Sequence, residues 1–187
     1  MGWDKELIRK ENILAKRAQK GDTNAAFLLI DMFYERIFSY FGRLCPQMQD
    51  AEDLTQETFR KIWSSLDNYQ VRDQFTAWIY KIAYHVYIDW IRKQKNTEAL
   101  LPEKWWEMCD DHNSSFFKTI SEREIAYKLY EAVDRLDGNK RQAIYLHYYQ
   151  GLSLRETAVA TNSAISTIKY RIREAVKNLR YEIDNSI

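Results

Sequence analysis

The sequence predicts an all-α protein made of two small helical domains. Its 187 residues include only five glycines and two prolines, and so few turn-forming residues favour long helices over a turn-rich β fold. Apolar residues recur at three- and four-residue steps through most of the chain, which is the period of an amphipathic helix. That period is lost between residues 94 and 121. We therefore expect domains at residues 1–95 and 122–187, joined by a linker at 96–121.

The charges are nearly balanced in number but segregated along the chain. Lysine and arginine total 28 and the acidic residues 27. The stretch Asp50 to Glu57 carries four acids and no base, whereas Gly138 to Tyr181 carries eight bases against two acids. This asymmetry indicates one end that binds an anion such as nucleic acid, and a separate acidic contact surface.

Several classes of protein are disfavoured. The N-terminus has no apolar signal segment and no run reaches the length of a membrane span, so we expect a cytoplasmic protein without membrane insertion. Cys109 and His112 have a faintly metal-like spacing, but the second pair of a structural zinc site is missing. There is no phosphate-binding glycine loop and no nucleophile–base signature. We predict no catalytic residue, no metal, no cofactor and no enzymatic activity.

The first domain is predicted to hold four helices. Their expected bounds are Trp3–Gln19, Asn24–Leu44, Gln49–Leu66 and Phe75–Lys93. Asp22 or Thr23 can cap the second helix, and Pro46 ends it because proline disfavours helical geometry in the residue before it.

The fourth helix has two unlike faces. One is an apolar stripe that should face the core, formed by Phe75, Trp78, Ile79, Ile82, Val86 and Trp90. The other mixes positive charge with rings, in Lys81, Tyr84, His85, Ile88 and Arg92. Cations attract a phosphate backbone and exposed rings stack on unpaired bases. This stretch alone fits equally well a helix that is buried on two sides.

The third helix carries the acidic cluster. Acids in a first turn stabilise the helix dipole, which accounts for Asp50 and in part for Glu52. Beyond that turn, Asp53, Gln56, Glu57 and Arg60 form a polar outer row. Such a row is either an ordinary solvated face or a surface that contacts a partner.

The second domain ends in a short helix, a turn and a long basic helix. Ser153 and Glu156 have the spacing of a capping box at the start of the short helix. Residues 162–164 form the predicted turn, and Ile165–Tyr181 the long helix. A plain helical hairpin is possible, but the concentrated positive charge favours a DNA-binding helix-turn-helix. Its outer face would offer Ser166, Thr167, Lys169, Tyr170, Arg171 and Arg173.

Three blocks in this order resemble a bacterial sigma factor of the extracytoplasmic-function group, in the sigma-70 family. They are residues 50–59 (DAEDLTQETF), residues 75–92, which begin FTAWIYKIA, and the pair GLSLRETA (151–158) and STIKYR (166–171). The resemblance covers about residues 19–180. It implies a region 2 helical bundle and a region 4 helix-turn-helix.

The resemblance also implies partners and site residues. Region 2 would bind the β′ clamp helices of core RNA polymerase, through Asp50, Glu52, Asp53, Gln56, Glu57 and Arg60. It would read the −10 promoter element as a melted single strand, through Asn68, Tyr69, Lys81, Tyr84, His85 and Arg92. The family often has asparagine where this chain has His85, so the preferred base is not transferable.

Region 4 would contact the β flap and read the −35 element as duplex DNA. The implied DNA-binding residues are Arg155, Ser166, Thr167, Lys169, Tyr170, Arg171 and Arg173. Members of the group are commonly held inactive by an anti-sigma factor, which becomes a further expected partner. Two other functions remain open at this point: a helix-turn-helix regulator that works without polymerase, and a scaffold protein that binds only proteins.

Overall fold

A computed structural model describes residues 3–70, 74–94 and 120–184 of the chain. All regular structure in these ranges is helical, which confirms the all-α prediction. The chain divides into two compact units, Met1–Trp106 with Val159–Asn162, and Glu107–Ala158 with Ser163–Ile187. The predicted linker at 96–121 lies outside the described residues except for its last two, which begin a helix.

The described part of the first unit contains four α-helices. They are α1 (Trp3–Gln19), α2 (Thr23–Gly42), α3 (Met48–Ser65) and α4 (Phe75–Gln94). A single 3₁₀ turn, Leu66–Asn68, follows α3. Asp22 caps α2 as predicted, because its side chain accepts a hydrogen bond from the backbone N–H of Ala25 at 3.0 Å. α2 packs against α1 and α3, and α4 packs against α1, α2 and α3, which closes a helical bundle.

Aromatic rings dominate the core of this bundle. Phe33 of α2 meets Phe75 of α4 edge to face, with ring centroids 5.8 Å apart. Tyr40 of α2 meets Tyr80 of α4 in the same way at 5.6 Å. All four side chains are fully buried. Edge-to-face pairs add roughly 0.5–1.5 kcal/mol each beyond the gain from burying their area, so α2 and α4 are held firmly together.

The buried face of α4 differs in part from the predicted stripe. Phe75, Ile79 and Val86 are buried as expected. Trp78, Ile82 and Trp90 are only half-buried, and Tyr80, Ala83 and Tyr87 occupy the core instead. That half of the prediction was wrong.

The tyrosines of α4 can be buried because their polar ends have partners. The hydroxyl of Tyr87 donates to the carbonyl oxygen of Leu44 at 3.3 Å. The guanidinium of Arg36 donates a hydrogen bond to the Tyr80 hydroxyl and lies 5.9 Å from the centroid of the ring. Burial raises the pKa of Tyr80 to about 12, so this hydroxyl stays neutral.

The structure describes four further α-helices. They are α5 (Ile120–Arg135), α6 (Gly138–Ile144), α7 (Leu154–Ala160) and α8 (Ile165–Asp184). Apart from the last two residues of α7, they lie in the second unit. A π-helical segment, Tyr145–Tyr149, continues α6. α8 packs against α5 and α6. Its Ile168 and Ile172 form a small core with Ala143 and Ala158.

Local hydrogen bonds set the geometry before and after α7. Gly151 has a positive φ of 73°, a conformation that glycine adopts without steric cost. The predicted capping box is present, because Ser153 N–H donates to Glu156 Oε2 at 2.7 Å and Glu156 N–H donates to Ser153 Oγ at 3.2 Å. After α7, Asn162 takes a φ of 50° and Ser163 N–H donates to the carbonyl of Ala158 at 2.9 Å. These contacts define a short helix, a tight turn and a long helix.

Replacement of Ser153 by alanine should lower the free energy of unfolding of the second unit by about 1 kcal/mol, because an N-cap acceptor is lost. Chemical denaturation followed by circular dichroism measures this change. Ser153→Thr keeps the hydroxyl acceptor and should remain within about 0.5 kcal/mol of wild type. Equal stability of Ser153→Ala and wild type would show that the box contributes nothing.

Candidate functional site

The structure displays three polar surfaces on separate helices. The first is an acidic surface on α3, formed by Asp50, Glu52, Asp53, Gln56, Glu57 and Arg60. The second is an aromatic–basic face on α4, formed by Lys81, Tyr84, His85 and Arg92. The third is the recognition face of α8, formed by Ser166, Thr167, Lys169, Tyr170, Arg171 and Arg173.

Within the acidic surface, Glu57 and Arg60 neutralise each other. The arginine donates two hydrogen bonds to the carboxylate, from Nε to Oε2 at 2.7 Å and from Nη2 to Oε1 at 2.6 Å. These bonds lower the pKa of Glu57 and raise the pKa of Arg60. Both groups are therefore charged, and their opposite charges largely cancel at a distance.

Asp53 and Gln56 are the members of this surface that remain available. Both are exposed, and neither forms a side-chain hydrogen bond or ion pair with a described residue. Asp50 is half-buried, and burial together with the nearby charge of Asp53 raises its pKa. A partner that offers donors or cations to α3 would find unpaired acceptors at Asp53 and Gln56, next to an ordered Glu57–Arg60 pair.

The aromatic–basic face of α4 has an ordered ring at its centre. Lys81, His85 and Arg92 are exposed and Tyr84 is half-buried. His85 Nδ1 lies 2.6 Å from the carbonyl oxygen of Lys81. Since a carbonyl only accepts, Nδ1 carries a hydrogen, and in the neutral form of the ring Nε2 is an acceptor. The ring also packs edge-on against Tyr84, with centroids 5.6 Å apart.

Charges flank this ring on both sides. Arg92 Nη1 lies 3.6 Å from Asp89 Oδ1, and Lys61 Nζ of α3 lies 3.8 Å from Asp89 Oδ2. Lys81 is exposed and has no ion pair with a described residue. The face can thus supply a stacking ring, a hydrogen-bond acceptor and cations within one patch, which is the chemistry that single-stranded nucleic acid requires.

The segment after α3 places its two predicted residues differently. Asn68 is exposed, but Tyr69 is only 4% exposed. The tyrosine ring packs against Phe75 at 5.0 Å and Trp78 at 5.1 Å, and its hydroxyl donates to Asn12 Oδ1 at 2.6 Å. The resemblance implied that Tyr69 faces single-stranded DNA. Its large ring and satisfied hydroxyl instead place it in the core, where it offers no face to a base. Residues 71–73 of this loop lie outside the described residues.

The recognition face of α8 is largely open to solvent. Ser166, Lys169, Tyr170 and Arg173 are exposed, while Thr167 and Arg171 are half-buried. Arg155 at the start of α7 is also exposed. Arg171 Nη1 donates to Ser163 Oγ at 3.2 Å, so one of the predicted DNA contacts braces the turn instead of pointing freely outward.

Beside this face lies a groove of about 570 Å³ that the sequence reasoning missed. It is lined by His147, Tyr148, Leu154, Lys169, Ile172, Arg173, Val176, Lys177 and Arg180. The positions of Lys169, Arg173, Lys177 and Arg180 at steps of three or four residues would have predicted one basic edge. The contribution of His147 and Tyr148 depends on how α6 and its π-helical continuation pack beside α8, which spacing cannot supply. His147 Nδ1 is fixed 2.6 Å from the carbonyl of Leu152.

The described part of the chain shows neither a group of metal ligands nor a membrane-spanning helix. Its histidine, cysteine and acidic side chains form no group of three that could hold a metal ion. Cys109 and His112 lie outside the described residues. No helix within the described ranges is both long and apolar enough to cross a membrane.

Known families match both units. The family model for Sigma-70 region 2 matches residues 29–97, and that for Sigma-70, region 4 matches residues 121–179. The ECF RNA polymerase sigma factor SigW of Bacillus subtilis is 27% identical over 188 residues, covering 95% of this chain and 98% of the relative. RNA polymerase sigma factor SigV of Bacillus subtilis is 30% identical over 154 residues, covering 81% and 84%.

Two solved structures share the fold. CnrH in complex with the cytosolic domain of CnrY has a TM-score of 0.71 and 21% identity, covering 95% of this chain and 99% of that one. The sigma factor RpoE of Bartonella quintana, in complex with the anti-sigma factor NepR, has a TM-score of 0.63 and 20% identity, covering 83% and 94%.

The chain belongs to the sigma-70 family of RNA polymerase sigma factors, in its extracytoplasmic-function group. Proteins of this family are transcription initiation factors that direct RNA polymerase to promoters. Each polar surface can now be assigned to a region of the family: those on α3 and α4 lie in region 2, and that on α8 lies in region 4.

Proposed function

We propose that the acidic surface of α3 binds the β′ clamp helices of core RNA polymerase. The observation that carries this proposal is the exposure of Asp53 and Gln56 beside the Glu57–Arg60 pair. Unpaired polar groups at the centre of a rigid helix can form new hydrogen bonds without breaking existing ones. Because the Glu57–Arg60 pair is already ordered, its side chains lose little further entropy on binding.

The aromatic–basic face of α4, together with Asn68, would hold the −10 element as a melted single strand. Lys81 and Arg92 supply phosphate contacts, Tyr84 and His85 supply ring faces, and His85 Nε2 can accept from a base amino group. Because Tyr69 is buried, we assign it no contact with DNA. It supports the loop from inside.

The recognition face of α8 would enter the major groove of the −35 element. Lys169, Tyr170 and Arg173 are the exposed side chains best placed for base edges, with Ser166 beside them. Arg155 and Thr167 would contact phosphates, and Arg171 would hold the turn. The β flap of the polymerase is the expected partner for another surface of this domain.

Further properties follow from a role in transcription initiation. The protein would work in the cytoplasm with RNA polymerase, without a cofactor and without catalysing a reaction itself. An anti-sigma factor would be its regulator, since the Bartonella structure pairs a protein of the same fold with an anti-sigma factor.

A second function is favoured by one observation. The helix-turn-helix is complete in itself, with its capping box, its turn and an exposed basic face. It could therefore bind duplex DNA without polymerase, as a conventional regulator does. Core binding distinguishes this alternative from the first proposal.

Replacement of Asp53 and Gln56 by alanine should weaken the affinity for core polymerase by about tenfold or more, equivalent to roughly 1.4 kcal/mol. Run-off transcripts from a cognate promoter should fall in parallel, because less holoenzyme forms. Gln49→Ala, an exposed residue at the start of the same helix, is the matched control. A conventional regulator would bind its duplex equally well with either variant and would show no holoenzyme with wild type.

Replacement of His85 by asparagine should change the preferred −10 base and leave stability within about 0.5 kcal/mol of wild type, because the side chain is exposed. Competition among promoters that carry each base at each −10 position measures the preference. Lys81→Ala is the comparison: it should weaken binding to all of them equally, since a phosphate contact carries no sequence information. An unchanged preference with a large loss of stability would assign His85 a structural role.

Replacement of Arg173 by alanine should relax selectivity at one −35 base pair and cost about 1–3 kcal/mol on the preferred sequence. Arg155→Ala should instead weaken binding to all sequences and reduce the salt dependence by about one counterion. Holoenzyme binding to a set of −35 variants at several salt concentrations separates the two effects. Identical behaviour of the two variants would contradict these assignments.

A further inference from the structure

Helix α1 holds the start of the segment that joins α3 to α4. The amide of Gln19 donates from Nε2 to two backbone carbonyl oxygens, that of Leu66 at 2.8 Å and that of Tyr69 at 2.9 Å. Tyr69 N–H also donates to the carbonyl of Leu66 at 3.0 Å, which closes the 3₁₀ turn. One side chain of α1 therefore bridges both ends of this turn and fixes its shape.

A second contact from α1 fixes the side chain of Tyr69. Asn12 Oδ1 accepts the hydroxyl hydrogen of Tyr69 at 2.6 Å. The ring of Tyr69 is meanwhile enclosed by Phe75 and Trp78 of α4. Any movement of this ring towards solvent would leave Asn12 without this partner and open a cavity beside α4.

A third contact from α1 fixes the far end of the segment. Thr76, in the first turn of α4, donates from Oγ1 to Glu11 Oε2 at 2.8 Å. Glu11 is only 1% exposed, and a buried carboxylate is costly unless it is hydrogen-bonded. The first turn of α4 is thus tied to α1 by a hydrogen bond to a buried carboxylate.

We propose that Glu11, Asn12 and Gln19 are positioning residues for −10 recognition. They hold Asn68 and the first turn of α4 in the arrangement that accepts the single strand, and they act through Tyr69 and Thr76 without touching DNA. These residues precede the stretch matched by the region 2 family model, which begins at residue 29. The inference rests on the proposed function, because these contacts matter for recognition only if Asn68 and the first turn of α4 bind DNA.

Four variants separate positioning from simple stability. Gln19→Glu keeps the size of the side chain but loses both donor hydrogens and places an oxygen against two carbonyls. Asn12→Ala removes the oxygen that accepts the hydrogen bond of the Tyr69 hydroxyl. Asn12→Asp keeps an acceptor oxygen at this position and should restore binding. Leu14→Ala is the stability control, because it removes a buried side chain of the same helix that makes none of these hydrogen bonds.

The experiment uses holoenzyme reconstituted from the full chain and core polymerase. Wild type must first bind core and initiate at a promoter mapped from the 5′ ends of induced transcripts; failure at this stage contradicts the proposed function itself. The second stage measures the affinity of each holoenzyme for a labelled single-stranded oligonucleotide with the −10 element, and for versions substituted at each base. Core affinity and the thermal midpoint are measured for every variant.

We expect Gln19→Glu and Asn12→Ala to weaken oligonucleotide binding by about fivefold or more and to flatten the base preference, with core affinity unchanged within about twofold. Asn12→Asp should behave like wild type, and Leu14→Ala should keep its base preference despite a lower thermal midpoint. Wild-type preference in Gln19→Glu and Asn12→Ala overturns the proposal. So does an equal loss of preference in Leu14→Ala. If Gln19→Glu does not fold, the Asn12 pair decides by the same criteria.

Discussion

The packing of α4 against α2 is the interaction on which the first unit depends. Four fully buried rings, Phe33 and Tyr40 from α2 and Phe75 and Tyr80 from α4, meet edge to face across this contact. Burial of a large side chain contributes about 1.5–3 kcal/mol, so these rings are a major part of the stability of a small bundle. They also fix the rotation of α4 about its axis. That rotation determines which side chains remain outside, and Lys81, His85 and Arg92 are among them.

This constraint explains how one helix can serve two purposes. A helix whose core face is satisfied by aromatic packing can leave a basic and aromatic stripe exposed without losing its place in the bundle. The segment before α4 benefits from the same packing. Tyr69 joins the ring cluster through Phe75 and Trp78, and α1 completes its hydrogen bonding. The exposed Asn68 is thus carried on a rigid turn, which lowers the entropy lost when a ligand binds.

The second unit achieves rigidity by other means. Its buried cluster of Ala143, Ala158, Ile168 and Ile172 is part of a larger core that also includes Tyr145 and Leu146. Backbone and capping contacts add to this packing. Gly151 provides the positive φ that reverses the chain before α7, and the Ser153–Glu156 box satisfies two N–H groups. The exposed bases of α8 form no ion pair with another residue that the structure describes, so they are available to a partner.

Much of the fold could be predicted from the sequence because it depends on local rules. Helical periodicity placed the four helices of the first unit within about two residues of their observed bounds, a normal uncertainty for helix ends. Side-chain caps at Asp22 and Ser153 were also evident, since a cap acts over three residues of the chain. The π-helical segment Tyr145–Tyr149 that continues α6 was not evident, because no local pattern in the sequence announces a change of helix type.

The sequence by itself determined the class of helices, their order, the segregation of charge and part of the residues on the exposed faces of α3 and α8. The tertiary structure alone decided which rings of α4 are core and which are surface. Both tryptophans and tyrosines are amphipathic, so periodicity cannot rank them, and only the partners at Leu44 and Arg36 make burial of Tyr87 and Tyr80 favourable. The tertiary structure also decided that Tyr69 is buried. The hydrogen bonds that α1 makes to this residue and its turn span 47 to 57 positions, a distance over which no local pattern in the chain carries information.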